Sequence, residues 1–115
     1  MTVKIYHNPR CTKSRQTLAL LTDRGIEPEV VEYLKTPPTK TELSQILSML
    51  GIEARALMRK REAEYKDHGL DNPDLTATDL VNAMIRHPIL IERPIVVTKT
   101  KAAIGRPPEN VLDIL

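Results

Sequence analysis

The chain has 115 residues, 41% of them hydrophobic and 28% charged, a composition that suits one globular domain with a buried core. It contains no Trp and no Phe, and its three Tyr are Tyr6, Tyr33 and Tyr65, too few to build a base-stacking platform for single-stranded nucleic acid. The balance of 17 Lys+Arg against 15 Asp+Glu leaves a net charge of +2, too even to indicate a nucleic-acid or membrane-surface partner.

Val3-Lys4-Ile5-Tyr6 is a β-prone run that stops at the turn-forming His7-Asn8-Pro9. Helical spacing follows, with Leu18, Leu20 and Leu21 on a stripe and Gly25 as the stop signal. Glu29 to Leu34 reads as a second strand, closed by Pro37-Pro38. Thr39 and Glu42 then have capping-box spacing. Behind them Leu43, Ile46, Leu47 and Leu50 recur at helical intervals, and Gly51 ends the run. A mostly charged stretch from about Ala54 to Lys66 is predicted to be helical, broken by Gly69 and Asp71-Asn72-Pro73. Thr76 with Asp79 opens a further helix carrying Leu80, Val81, Met84 and Ile85, which His87-Pro88 halts. Pro94 to Thr98 and Ala102 to Gly105, around Lys99-Thr100-Lys101, read as a hairpin. Pro107-Pro108-Glu109 opens a last short helix through Val111, Leu112 and Ile114. The order is βαβ, a block of three helices, then ββα. It predicts an α/β domain with one mixed four-stranded sheet covered by helices.

One cysteine, Cys11, is present, so no internal disulfide and no multi-cysteine zinc site can form. No apolar stretch approaches the roughly 20 residues needed to span a bilayer and no signal-peptide core is visible. A protein of the reducing cytoplasm is the expectation. Cys11 falls where the first strand hands over to the first helix, inside His7-Asn8-Pro9-Arg10-Cys11-Thr12-Lys13-Ser14-Arg15. A thiol at a helix N-terminus meets free backbone N–H groups and the positive end of the macrodipole. Both favour the nucleophilic thiolate and lower its pKa below about 8.5. Arg10, Lys13, Arg15 and His7 are expected to add positive charge. A lone cysteine is more commonly a small buried hydrophobe, but these neighbours are polar, cationic or turn-forming. Ser14 stands where a Cys-x-x-Cys motif would carry its second thiol, so a redox cycle needs an outside thiol. Thr17 stands where a cysteine phosphatase would carry its phosphate-clamping arginine, which argues against that chemistry.

Ile5 to Cys11 with Ser14-Arg15, Arg55-Ala56-Leu57-Met58-Arg59, His87-Pro88-Ile89-Leu90 leading into Arg93-Pro94-Ile95-Val96-Val97, and Gly105-Arg106-Pro107-Pro108 before Val111 to Leu115 together resemble the glutaredoxin-coupled arsenate reductase family. The resemblance runs through essentially the whole chain, in family order. It implies a single thioredoxin-like domain over 1–115, with a helical insertion over about 39–87. It also implies reduction of arsenate to arsenite, with glutathione as co-substrate, glutaredoxin as partner and no bound metal or organic cofactor. Carried over, Cys11 is the nucleophile, His7 helps keep it ionised, and Ser14 hydrogen-bonds the thiolate. Arg59, Arg93 and Arg106 form the oxyanion site, and Arg93-Pro94 is the cis-proline step. Arginine's planar fork suits bidentate binding of a tetrahedral oxyanion. Thr12 replaces the glycine of plasmid-borne members, which alters the anion loop. The chain also stops short of their C-terminal tail, as in a short chromosomal branch of the family.

The remaining candidates have blander readings. Arg55, Lys60 and Arg61 are expected on a solvated face and His68 in a surface loop. His87 is expected at a helix C-terminus, where it meets the dipole. Met49, Met58 and Met84 are expected to pack in helical stripes. Two alternative functions are an RNA-polymerase-binding regulator resembling Spx, and a glutathione-dependent thiol oxidoreductase with another substrate. Spx-type proteins use a Cys-x-x-Cys switch, which Ser14 removes here.

Overall fold

The structure, a computed structural model, describes residues 2–115. It contains two compact units, one made of the chain up to Thr36 together with Arg93–Leu115, the other of Pro37–Glu92.

In the first unit, strand β1 (Lys4–His7) leads into helix α1 (Thr12–Asp23) and strand β2 (Glu29–Glu32). The unit resumes with β3 (Ile95–Val97), β4 (Ala102–Ile104) and a 3-10 helix over Pro108–Ile114. The sheet order is β2-β1-β3-β4, parallel between β1 and β2 and antiparallel elsewhere. Register places Ile5 opposite both Val30 and Val96, so β1 is a central strand. It is accordingly buried on both faces, with Ile5, Tyr6 and His7 covered in succession. The core joins Val3, Ile5, Leu21, Val96 and Val111, with Leu18, Leu20, Ile26, Ala103 and Ile114 packed around it. It is aliphatic, as the lack of Phe and Trp requires. Each fully buried Val, Leu or Ile contributes about 1.5–3 kcal/mol.

Local rules explain where these elements stop. Helix α1 ends at Arg24, and Gly25 takes the left-handed turn at φ 76°. Strand β2 ends at Glu32, two residues before the predicted Leu34. The amides of Lys35 and Thr36 both donate to the Glu32 carbonyl and turn the chain. Arg93-Pro94 is cis, in agreement with the resemblance, and Arg106-Pro107 is also cis.

The second unit holds α2 (Lys40–Leu50), a 3-10 turn over Ala54–Leu57, α3 (Ala63–Asp67), α4 (Ala77–Arg86) and a 3-10 turn over Pro88–Leu90. Both predicted N-terminal signals are complete capping boxes: Thr39 with Glu42 opens α2, and Thr76 with Asp79 opens α4. Leu43, Ile46, Leu47, Leu80, Val81 and Met84 are buried.

The predicted helix from Ala54 to Lys66 is a correction. Residues between Leu57 and Ala63 are not helical, because Met58 pairs with Ile91 in an isolated β-bridge. The Arg59 amide donates to the Leu90 carbonyl at 2.7 Å, and the Glu92 amide to the Leu57 carbonyl at 2.8 Å. Long-range backbone pairing overrides the helical propensity of Arg, Lys and Glu here. Arg55 is a second correction. Its guanidinium is not solvated but donates to the Tyr65 hydroxyl (2.7 Å) and to the carbonyls of Leu70 (2.5 Å) and Asn72 (2.8 Å). It pins the irregular segment that follows α3.

Candidate active site

Cys11 is the N-cap residue of α1, with extended backbone (φ −93°, ψ 123°). Its carbonyl accepts from the Arg15 amide, and its own amide donates to the Asn8 carbonyl, both at 3.0 Å. An N-cap side chain ordinarily supplies an oxygen to the free N–H groups of the first turn. Here a sulfur takes the oxygen's position without closing a cap hydrogen bond, and it is partly exposed to solvent. Partial burial pushes the Cys11 thiol up, but four attractions outweigh it and hold the pKa below its ordinary value. They are the Ser14 amide, the charge of Arg93, the Lys13 amide and the Arg106 side chain. The Arg106 Nη1 lies 4.0 Å from the sulfur and 3.2 Å from the Arg93 carbonyl oxygen, to which it donates.

The source of the negative-charge preference therefore differs from the sequence expectation. Arg10 and Arg15 stand beside Cys11 in sequence, yet their side chains are exposed. Arg15 donates instead to the Pro9 carbonyl and the Thr12 hydroxyl. Lys13 acts through its backbone amide rather than its ammonium. Backbone dipoles and two arginines some 80–95 residues later do the work.

His7 and Ser14 are brought together beneath this turn. The His7 Nδ1 and Ser14 Oγ are 2.6 Å apart, and Ser14 Oγ also accepts from the Asn8 amide at 3.0 Å. Both residues are buried. Burial holds His7 below its ordinary value; the Arg15 charge acts in the same sense and the Glu32 charge against it. The ring is therefore neutral at pH 7, which corrects the expectation that it supplies a positive charge. The Ser14 amide contributes to lowering the Cys11 pKa, while its hydroxyl is taken by His7 and Asn8 rather than by the sulfur.

Asn8 is the residue that sequence reasoning passed over. Its carbonyl, its amide and its side chain, which accepts from the Arg10 amide, fix three points of the loop. The Asn-Pro pair is the signal for such a turn, since Asn side chains bond the backbone two residues on. Arg59 belongs to the second unit. There its Nη2 pairs with Glu62 at 2.6 Å and its Nη1 donates to the Ile89 carbonyl at 3.4 Å. His68 is exposed and stacks on His87, with ring centroids 4.2 Å apart. Met58 and Met84 are buried and Met49 is partly so. Among the described residues no helix is long and apolar enough to cross a membrane.

A β-α-β unit and a β-hairpin sharing one four-stranded sheet, with a single cysteine at the N-cap of the first helix, define a thioredoxin-like fold. Residues 6–114 match the family model described as the ArsC family, and the chain belongs to that family. A Neisseria meningitidis protein named arsenate reductase is 53% identical over 114 residues, 98% of this chain and 97% of its own length. An Escherichia coli protein named as uncharacterised is 54% identical over 98% of this chain and 96% of its own. The solved structure of an arsenate reductase from Vibrio cholerae matches with a TM-score of 0.97 and 52% identity, covering 100% of this chain and 98% of that one.

Proposed function

We propose that the protein is an oxidoreductase that reduces arsenate to arsenite with electrons from two thiols. The observation that carries the reading is the Cys11 sulfur at the α1 N-terminus with Arg106 4.0 Å away, a nucleophile and an oxyanion-binding cation at one point. Relatives at 53% and 52% identity named arsenate reductase supply the substrate.

The Cys11 thiolate attacks arsenic(V). A sulfur–arsenic bond forms, and one arsenate oxygen leaves as water after taking protons from solvent. A glutathione thiolate then attacks the Cys11 sulfur. The sulfur–arsenic electron pair stays on arsenic, which departs as arsenite, and a Cys11–glutathione disulfide remains. Arsenic gains two electrons and two thiols are oxidised. With one cysteine in the chain, the second thiol has to come from outside. Glutaredoxin then attacks the mixed disulfide and releases the Cys11 thiolate. Arg93 and Arg106 hold the oxyanion and offset the charge that builds up when a thiolate approaches an anion. His7 and Ser14 hold the loop that presents the sulfur. The cycle assigns no resident metal or organic cofactor, and its reductants are those of a reducing cytoplasm.

The test is a coupled assay with arsenate, glutathione, glutaredoxin and glutathione reductase, following NADPH. The proposal expects oxidation that stops when either arsenate or glutathione is left out and slows sharply without glutaredoxin. Arsenate-independent oxidation, or none above the enzyme-free rate, contradicts it.

A further inference from the structure

Arg106 owes its place to the residue before it. Gly105 is buried at the end of β4, where its amide donates to the Pro94 carbonyl at 2.9 Å. A Cβ built on Gly105 would collide with the Thr17 hydroxyl, lie 2.8 Å from Pro94 Cγ and 3.1 Å from Thr17 Cγ2. Its backbone φ is not in the left-handed region that favours glycine, so the requirement is one of space rather than of conformation. Thr17 is fully buried in α1, and its hydroxyl donates to the Lys13 carbonyl at 2.8 Å. The end of β4 thus rests on two things at once. One is the first turns of the helix that carries Cys11; the other is the residue that follows Arg93.

We propose that Gly105 and Thr17 form a seat that sets where the Arg106 guanidinium stands over Cys11. The inference rests on Arg106 acting at the Cys11 sulfur, and it deepens that reading by naming the positioning residues. A side chain at position 105 lifts the end of β4 off Thr17 and Pro94. Arg106 is the next residue, so its guanidinium is displaced from both the Arg93 carbonyl (3.2 Å) and the sulfur (4.0 Å). The Ser14 and Lys13 amides lie on α1 itself and stay where they are, and so does the Arg93 charge. Only the Arg106 share of the stabilisation is lost.

The experiment measures the pH midpoint of Cys11 alkylation by iodoacetamide, with melting temperature in parallel, in the full chain. Gly105→Ala is expected to raise the midpoint in the same direction as Arg106→Gln and by no more than that variant does. Combined with Arg106→Gln it adds nothing further, because both act through one guanidinium. Thr17→Ala removes the hydroxyl and methyl that the new side chain meets, so Thr17→Ala/Gly105→Ala moves the midpoint part of the way back. That double variant also decides the matter if Gly105→Ala alone does not fold. It is then expected to fold with a midpoint between those of wild type and Arg106→Gln. A folded Gly105→Ala with the wild-type midpoint shows a merely structural glycine and overturns the proposal. So does a shift that adds to that of Arg106→Gln, or a double variant that recovers nothing. Arsenate turnover of the wild type is assayed separately. Its failure removes the substrate reading and leaves the alkylation result to judge the seat.

Discussion

The Nδ1 of His7 and the Oγ of Ser14 stand 2.6 Å apart under the Cys11 turn, in a site where His7 is held neutral by burial. The pair couples the end of β1 to the first turn of α1 without adding charge. Its consequence is a pH dependence of stability. A histidine whose folded pKa is lowered releases its proton on folding, so its contribution is complete above the unfolded value of 6.5. That contribution is lost as pH falls below 6.5 toward the lower folded pKa. Urea unfolding midpoints are expected to drop between pH 7.5 and 5, and His7→Gln to flatten that slope. An unchanged slope in His7→Gln contradicts the assignment.

Ser14→Ala separates the hydroxyl from the amide. It leaves the Asn8 amide and the His7 ring short of a buried partner, a loss of about 1–3 kcal/mol in unfolding free energy. The Ser14 amide remains, so the Cys11 alkylation midpoint is expected to move much less than in Arg106→Gln. A midpoint shift as large as that of Arg106→Gln would show that the hydroxyl, not the amide, holds the thiolate.

Arg93→Lys keeps a charge but loses the planar fork that suits a tetrahedral oxyanion. It is expected to lower kcat/KM at least about tenfold, equivalent to about 1.4 kcal/mol. Arg61→Lys, at an exposed position, is expected to change it little. Equal effects in the two variants remove Arg93 from the site.

Arg55→Lys is expected to behave in the opposite way. Three hydrogen bonds from one guanidinium to Tyr65, Leu70 and Asn72 cannot be reproduced by an ammonium on a shorter reach. A stability loss of about 1–3 kcal/mol follows. Thermal unfolding checks it, and a melting temperature equal to that of wild type contradicts it.

What could be read from the sequence was whatever is decided locally. The capping boxes of Thr39 and Thr76 and the stops at Gly25 and Gly51 are short-range hydrogen-bond and backbone rules, and each stands in the structure. Cys11 at the head of α1 follows from the same turn logic. What was not legible depends on partners far along the chain. Met58 gives up a helix for Ile91, thirty-three positions on, and nothing between Arg55 and Lys66 announces that. The charge around Cys11 looked local because Arg10, Lys13 and Arg15 are adjacent, yet burial neutralises His7 and the effective cations are Arg93 and Arg106. Resemblance to a family named those two arginines; composition and spacing did not. The tight approach at Gly105 is set by Thr17 and Pro94, which no one-dimensional pattern brings together.

The central claim is that one cysteine carries the reduction through a mixed disulfide. The direct measurement incubates the protein with arsenate and glutathione, without glutaredoxin, and maps the product by mass spectrometry while arsenite is quantified. The account predicts a glutathione adduct on the Cys11 peptide that forms only when arsenate is present, in step with one arsenite per adduct, and neither product in Cys11→Ser. Arsenite formed without that adduct, or formed by Cys11→Ser at the wild-type rate, contradicts it.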